Sequence, residues 1–181
     1  AAIVGKIPNC GLHLDENRRG THLVKVHKIP SSLFEWDLMG YWIGKHVKVG
    51  VPVIDIDIPS ITFDSYKGFG AAMTTAGQVD LFHVIGHTPE APNYEAAFGG
   101  NEPQAILHYG AAEEQEIIEE LDWAREKEVD FVLLGCPHYS AFQIADAARF
   151  LNGRKCKARL VIMTAPATQA QARINGDAQI I

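Results

Sequence analysis

Cysteine is scarce in this sequence of 181 residues, with three widely spaced residues and no Cys-x-x-Cys pair. An odd number of distant cysteines does not make a disulfide framework, so a reducing compartment such as the cytoplasm is expected. Positive charge is not in excess either, since the net charge is -6 at pH 7. Nucleic acid is therefore not an expected partner, because its recognition requires a clustered basic face.

Long hydrophobic runs are also missing. No apolar run approaches the roughly 18 residues of a membrane-spanning helix, so no membrane association is expected. The amino terminus lacks the charged and apolar regions of a signal peptide. The HExxH, GxSxG and Walker motifs are absent, which removes the zinc-protease, serine-hydrolase and P-loop interpretations. The chain begins on alanine, not methionine, and we expect it to be a piece of a longer protein.

What is present is an alternation of short apolar strands with amphipathic helices. Strand patterns occur at 23–26, 51–57, 80–86, 106–109, 130–135 and 159–163, and helix patterns at 32–47, 66–76, 94–98, 113–128, 140–152 and from 168 onward. Several strands are almost wholly apolar, which predicts an α/β domain over residues 1–181 with a mainly parallel sheet and helices on both faces. In such sheets ligands bind outside the carboxyl ends of the strands.

Cys136 lies where one such strand turns into a helix. The apolar run 131–134 predicts a buried strand, and Ser140 with Gln143 has the spacing of a helix-capping box. A thiol near a helix N-terminus is favoured as thiolate, the form that binds metal or attacks. The alternative is that Cys136 is a small buried apolar residue.

Histidines follow or lie within the predicted strands. His83 is inside an apolar strand, where a hydrogen-bonded core histidine is the default, whereas Thr88 lies in the loop beyond that strand. His138 lies two residues past Cys136 and could share its site, but a Cys-x-His pair alone does not make a closed metal centre. Arg18, within the charged run 15–19, suits either an exposed loop or recognition of a carboxylate substrate.

Four extended segments stand out as motifs. They are GKIPNCGLHLDENRRG (5–20), LMGYWIGKHVKVGVPVI (38–54), GFGAAMTTAGQVDLFHVIGHTPEA (68–91) and VDFVLLGCPHYS (129–140). In this order and spacing they resemble the catalytic region of aconitase X, and LFHVIGHTPEA and LLGCPH are the most specific pieces. The resemblance implies an aconitase-like fold and hydro-lyase activity. Members dehydrate cis-3-hydroxy-L-proline or mevalonate 5-phosphate.

The resemblance also implies an iron cofactor. Family members bind iron, as an iron-sulfur cluster or a mononuclear ion, through three cysteines, and the cysteine of LLGCPH is Cys136 here. The other two cysteines, and part of the substrate site, belong to segments that this sequence lacks. The sequence also lacks the small swivelling domain or subunit of the family, which is the expected partner. The 181 residues thus resemble the middle of a longer catalytic subunit.

A metal-assisted dehydration follows from the resemblance. Iron with an open position, if bound, would supply a Lewis acid for the leaving hydroxyl, while charged donors would hold the substrate carboxylate. Within the matching motifs, His83 and His138 are candidates to orient substrate or donate a proton. Arg18, Lys67 and Thr88 are candidates to bind anionic groups. A phosphate would call for a further basic cluster, so hydroxyproline is favoured over mevalonate 5-phosphate. The third alternative is a catalytically incomplete scaffold that binds a partner subunit.

Overall fold

The structure, a computed structural model, describes residues 1–124 and 128–181. The sequence was expected to form one domain over residues 1–181, and the contacts within it concentrate in two compact units, Ala1–Leu121 and Asp122–Ile181. Both units contain parallel strands joined by helices, so the predicted α/β class is confirmed. Among the described residues, no helix has the length and apolar character needed to cross a membrane.

Four parallel strands form the sheet of the first unit. The strands are β1 (His22–Val26), β2 (Pro52–Asp55), β3 (His83–Val84) and β4 (Ala105–Tyr109), and the helices are α1 (Leu33–Val47), α2 (Phe63–Ala76), α3 (Tyr94–Phe98) and α4 (Ala111–Leu121). The strand order is β3-β2-β1-β4. From β1 the chain runs outward to β2 and β3, and it then returns to place β4 on the other side of β1. The boundary between β1 and β4 is therefore a topological switch point.

Each face of this sheet has its own core, because alternate residues of a strand point to opposite faces. Val24 and Ile54 belong to the larger core, which also contains the buried residues of α1 and α2. Leu23 and Val53 point the other way and pack with Phe98 of α3. The second face is therefore covered by α3 and the loops around it, and it is on this face that a cleft opens.

Helices α1 and α2 approach each other backbone to backbone. A Cβ added at Gly40 would lie 2.3 Å from the carbonyl oxygen of Phe69, and one added at Gly44 would lie 2.2 Å from that of Met73. Only glycine fits at these two positions, since any side chain would collide with main-chain atoms.

Helix α1 begins at Ser32, whose hydroxyl oxygen accepts a hydrogen bond from the Glu35 backbone N–H at 3.2 Å. Ser32 and Glu35 also have the spacing of a capping box, in which the Glu35 carboxylate would accept from the Ser32 backbone N–H. It accepts instead from the backbone N–H and the hydroxyl of Ser31, which lower the pKa of Glu35. The helix predicted from residue 32 is confirmed, and it is capped by the Ser32 side chain and not by a complete capping box.

Two elements are shorter than their sequence patterns. The helix predicted over 113–128 is α4, which ends at Leu121, and residues 125–127 of that prediction lie outside the described residues. The strand predicted over 80–86 is only the two residues of β3. The Thr88 hydroxyl bonds to both backbone groups of Val84, and this closes a turn directly after the strand.

The second unit contains two parallel strands, β5 (Phe131–Leu134) and β6 (Arg159–Ile162), with helices α5 (Ala141–Leu151) and α6 (Pro166–Asn175). The predicted capping box of Ser140 and Gln143 is present at the start of α5. The prediction that β5 is buried is wrong for the described residues, because Phe131 is 48% exposed and Leu133 is 58% exposed. An apolar run indicates a strand without showing how much of it is covered.

Candidate functional site

A polar cleft of about 350 Å³ opens in the first unit on the face that carries α3. Its volume is in the range of small-molecule sites. The lining combines two arginines, two acids and one histidine with small residues of α3 and its end: Asp15, Arg18, Arg19, His83, Glu90, Ala96, Ala97 and Gly99.

Gly20 holds the arginine loop against the sheet. Its backbone N–H donates to the carbonyl of Ala97 at 2.7 Å. A Cβ at this position would lie 2.2 Å from Cγ2 of Val53, so only glycine allows the loop to lie this close. The two arginines that precede Gly20 are thereby placed at the mouth of the cleft.

All three nitrogens of the Arg18 guanidinium bond to protein groups. Its Nε donates to Glu90 at 2.8 Å, its Nη1 donates to the carbonyl of Leu12 at 3.0 Å, and its Nη2 bonds to Asp15. The hydrogen bond to Glu90, with a further one to Asp15, raises the pKa of Arg18. Two carboxylates thus compensate this guanidinium, which ties the loop to the segment beyond β3.

The neighbouring Arg19 differs sharply from Arg18. Within the described residues it makes neither a hydrogen bond nor an ion pair. Its side chain runs along Gly99, where an added Cβ would lie 2.8 Å from both Cδ and Nε of Arg19. The positive φ of +59° at Gly99 favours glycine as well. Arg19 therefore presents an uncompensated guanidinium to the cleft. Nothing in the sequence distinguishes these two adjacent arginines, so it could not show which of them forms ion pairs.

His83 is buried, with 3% of its surface exposed, and its Nε2 lies 2.6 Å from the carbonyl oxygen of Arg18. A carbonyl oxygen only accepts, so Nε2 carries the proton and donates it. The structure thus brings together two of the residues selected from the sequence. His83 holds the loop that carries Arg18, as a hydrogen-bonded core histidine does.

Thr88 and Lys67 are not in this cleft. Thr88 lines a separate, mostly apolar cavity of about 390 Å³ with Tyr66 and Phe82. Its hydroxyl accepts from the Val84 backbone N–H at 3.0 Å and donates to the Val84 carbonyl at 3.2 Å. Lys67 forms an ion pair with Asp64 one turn away, at 2.9 Å.

Asp37 is an ionisable group that the sequence reasoning missed. It lies on α1 against Gly68 of α2, where an added Cβ would be 2.1 Å from its Oδ1. Burial raises the pKa of Asp37 to about 6, and the positive charge of Lys67 partly opposes that rise. The signal available was Gly68 inside a helix pattern, which indicates close approach by another group.

A histidine pair at the switch point was also missed. His27, just after β1, stacks on His108 of β4 with ring centroids 5.1 Å apart, and His27 Nε2 lies 2.8 Å from His108 Nδ1. Both side chains are exposed. Strand patterns alone did not show that β4 is the neighbour of β1.

In the second unit, Cys136 lies two residues beyond Leu134, the last residue of β5, and is exposed, as is His138. The alternative of a buried apolar cysteine is therefore wrong. An exposed cysteine sulfur is accessible to a metal ion, which it binds as thiolate. Among the described residues, however, no three His, Cys, Asp or Glu side chains are grouped to hold a metal ion. These residues supply one fitting ligand for iron and not a complete site.

Two α/β units, each built on parallel strands, place the chain among the α/β proteins, with a polar cleft in the first unit and an exposed cysteine near a strand end in the second. The sequence comparisons are more specific. Residues 20–120 match the aconitase X second domain, and residues 129–181 match the aconitase X third domain. The chain belongs to the aconitase X family.

Individual relatives carry two different names. The chain is 38% identical to a cis-3-hydroxy-L-proline dehydratase of Pseudomonas aeruginosa, over 97% of this chain and 31% of the relative. It is 36% identical to the phosphomevalonate dehydratase large subunit of Thermococcus kodakarensis, over 100% of this chain and 46% of the relative. The chain thus spans about a third to a half of these relatives, both of which are named as dehydratases, that is, hydro-lyases.

A solved structure confirms the fold. The crystal structure of Thermococcus kodakaraensis aconitase X in its holo-form matches with a TM-score of 0.83 and 34% identity. The match covers 100% of this chain and 46% of that one. The predicted aconitase X fold is therefore correct.

Proposed function

We propose that these residues belong to a longer catalytic subunit that dehydrates cis-3-hydroxy-L-proline, as a hydro-lyase of the aconitase X type. The observation that carries this proposal is the family match over residues 20–120 and 129–181. The cleft of the first unit supports it, because its size and polar lining suit a small hydroxylated acid.

The choice of substrate rests on charge. The hydroxyproline and phosphomevalonate relatives are almost equally similar, at 38% and 36% identity, so identity does not decide between them. A phosphate is bound by several charged donors. In the cleft Arg18 is already compensated by two carboxylates, which leaves Arg19 as the available cation among the described lining residues. This favours a substrate with one carboxylate, and mevalonate 5-phosphate is the alternative.

Cys136 is our proposed iron ligand, in an iron-sulfur cluster or with a mononuclear ion. Its exposed thiol supports this role, and the remaining ligands would come from beyond the described residues. Bound iron would act as a Lewis acid toward the leaving hydroxyl. A reducing cytoplasm, which keeps exposed thiols free, is the proposed location.

The chain's own residues position the substrate. In this proposal His83 orients the arginine loop through its bond to Arg18, and His138, two residues from Cys136, is the candidate proton donor. Anion binding by Lys67 and Thr88 rests on the family motifs, since their described contacts are with Asp64 and with the Val84 backbone.

The test is an activity assay of the full-length protein, loaded with iron under anaerobic conditions and combined with its small subunit. Dehydration of cis-3-hydroxy-L-proline at a kcat/KM well above that for mevalonate 5-phosphate is expected. The reverse preference would establish the alternative. A Cys136→Ser variant should lose both iron and turnover, whereas Cys156→Ser, another exposed cysteine, should keep both.

A scaffold without turnover is the remaining alternative. The phosphomevalonate dehydratase relatives are named as large subunits, which supports a partner subunit for the longer protein. If the iron-loaded complex forms but turns over neither substrate, the scaffold interpretation replaces the enzymatic one.

A further inference from the structure

The cleft has an excess of negative charge around Arg18 and a positive charge at Arg19. Arg18 is bracketed by Asp15 and Glu90, so one negative charge in excess remains around it. Arg19 supplies a positive charge that no described residue compensates. A cleft with one free cation and one surplus anion is matched by a ligand that carries both signs, and not by a purely anionic one.

Glu90 is the better placed of the two acids. Both of its carboxylate oxygens accept from Nε of Arg18, at 2.8 and 3.1 Å, and its side chain is 50% exposed. Asp15 is 89% exposed, so water screens its charge more strongly. The Glu90 carboxylate is thus oriented by a fixed neighbour and still open to a ligand.

Arg19 is oriented by its path along Gly99. The stem of the side chain lies along Gly99 at the edge of the cleft, where a Cβ added to Gly99 would be 2.8 Å from both Cδ and Nε of Arg19. A guanidinium forms paired hydrogen bonds with a carboxylate, for which its planar donors are suited.

We propose that Arg19 and Glu90 form a split-charge clamp for a zwitterionic imino acid, in which Arg19 binds the carboxylate and Glu90 binds the ring ammonium. The clamp rests on the proposed function and deepens it, because it assigns recognition of the substrate to two residues. A phosphate ester of a hydroxy acid, with negative charge at both ends, would place one end against Glu90 and be repelled.

The experiment pairs two variants with three probes, using the full-length protein with its small subunit. The probes are L-proline, L-proline methyl ester, which lacks the carboxylate charge, and N-acetyl-L-proline, which lacks the ammonium charge. Binding is measured by calorimetry and, where turnover is present, as competitive inhibition. The wild-type protein should bind L-proline roughly 10- to 100-fold more tightly than either derivative, the usual effect of one charged hydrogen bond.

Each variant should lose one preference only. Arg19→Gln should bind L-proline and its methyl ester equally while still discriminating against N-acetyl-L-proline, and Glu90→Gln should show the opposite pattern. A merely structural role for either residue would weaken all three probes alike. That result, or L-proline binding unchanged in both variants, would overturn the clamp.

Two glycines give a matched control that leaves the charges in place. Gly99→Ala pushes the Arg19 side chain away, whereas Gly100→Ala places its Cβ in open space, and both positions have a positive φ, +59° and +78°. Gly99→Ala should therefore lose the preference for L-proline over the ester, and Gly100→Ala should retain it. Loss in both variants would contradict the assigned path of Arg19.

The clamp and the proposed function fail separately. The crossed pattern is the result in which Arg19→Gln loses only the preference over the methyl ester and Glu90→Gln loses only the preference over N-acetyl-L-proline. If the protein shows this pattern but does not dehydrate cis-3-hydroxy-L-proline, the proposed function fails and the clamp remains. If it dehydrates that substrate while the crossed pattern is missing, the clamp fails and the function remains. Inorganic phosphate is measured as an additional ligand, and its binding in preference to L-proline would overturn the clamp.

Discussion

His83 and Arg18 are joined across 65 positions of the sequence by a hydrogen bond of 2.6 Å from the imidazole Nε2 to a main-chain carbonyl. One end of this bond is the buried start of β3, and the other end is the loop that carries the two arginines of the cleft. The stability of the sheet and the shape of the cleft therefore depend on the same contact.

Replacement of His83 by alanine should lower the free energy of unfolding by about 2 to 4 kcal/mol. The substitution leaves a buried carbonyl without its donor and opens a cavity. His83→Gln can still donate an amide N–H and should recover part of the loss. Urea unfolding of the three proteins measures this, and equal stability of the alanine variant and the wild type would contradict it.

The contact between α1 and α2 should not tolerate a methyl group. Gly44→Ala directs its Cβ into the carbonyl oxygen of Met73, so the helices must separate, at a cost of about 3 kcal/mol or more. Gly70→Ala is the control. Its Cβ meets only the ring of Phe82, at 3.2 Å, and alanine improves helix propensity, so a change below about 1 kcal/mol is expected. Thermal and urea unfolding distinguish the two variants, and similar losses would contradict the predicted contact.

Asp37 should make stability depend on pH. Burial raises the pKa of Asp37 from 3.8 to about 6, so the folded state holds this proton more tightly than the unfolded chain does. Stability should therefore fall as pH rises from about 4 to 6 and stay lower above that range. The effect is on the order of 1 kcal/mol, because the carboxyl keeps some contact with solvent.

An Asp37→Asn variant isolates this contribution. It should be more stable than the wild type at pH 7 and equal to it near pH 3.5, as measured by urea unfolding across the range. Asp57→Asn, at an exposed aspartate, should show no such difference. A gain for Asp37→Asn that is the same at both pH values would contradict the assignment.

The capping box of α5 should stabilise the second unit. Ser140→Ala removes the side chain that accepts from the Gln143 backbone N–H at 3.2 Å, and a loss of about 1 kcal/mol is expected. Hydrogen exchange of the first amides of α5 measures the local effect. Ser140→Asp keeps a capping oxygen and should retain most of the protection, and faster exchange in both variants alike would argue against the cap.

The sequence predicted local features best. The Ser140–Gln143 box, the start of α1 at Ser32 and the alternation of strands and helices depend on neighbours within a few positions, and all are present. The exposure of Phe131 was not predictable in the same way, because an apolar strand has the same pattern whether or not something covers it.

The candidate cleft was only partly predictable, since its contacts join distant segments. Arg18 pairs with Glu90 across 72 positions, and nothing local separates this arginine from Arg19. His83 was correctly weighed as a possible core histidine, but its acceptor is 65 positions away. The close contact of α1 with α2 did have a signal, the spacing of Gly40 and Gly44, whose meaning depends on which helix lies opposite.

The exposed thiols have a practical consequence for anyone who handles the protein. Cys10, Cys136 and Cys156 are all free and open to solvent, so oxygen and peroxide can convert them to sulfenic acids and then to disulfides between molecules. Material purified in air should accumulate disulfide-linked dimers that dithiothreitol reduces to monomers. A Cys136 that has been oxidised in this way can no longer bind a metal ion as thiolate. If Cys136 is an iron ligand as proposed, the redox history of a preparation would set how much of it can be loaded with iron.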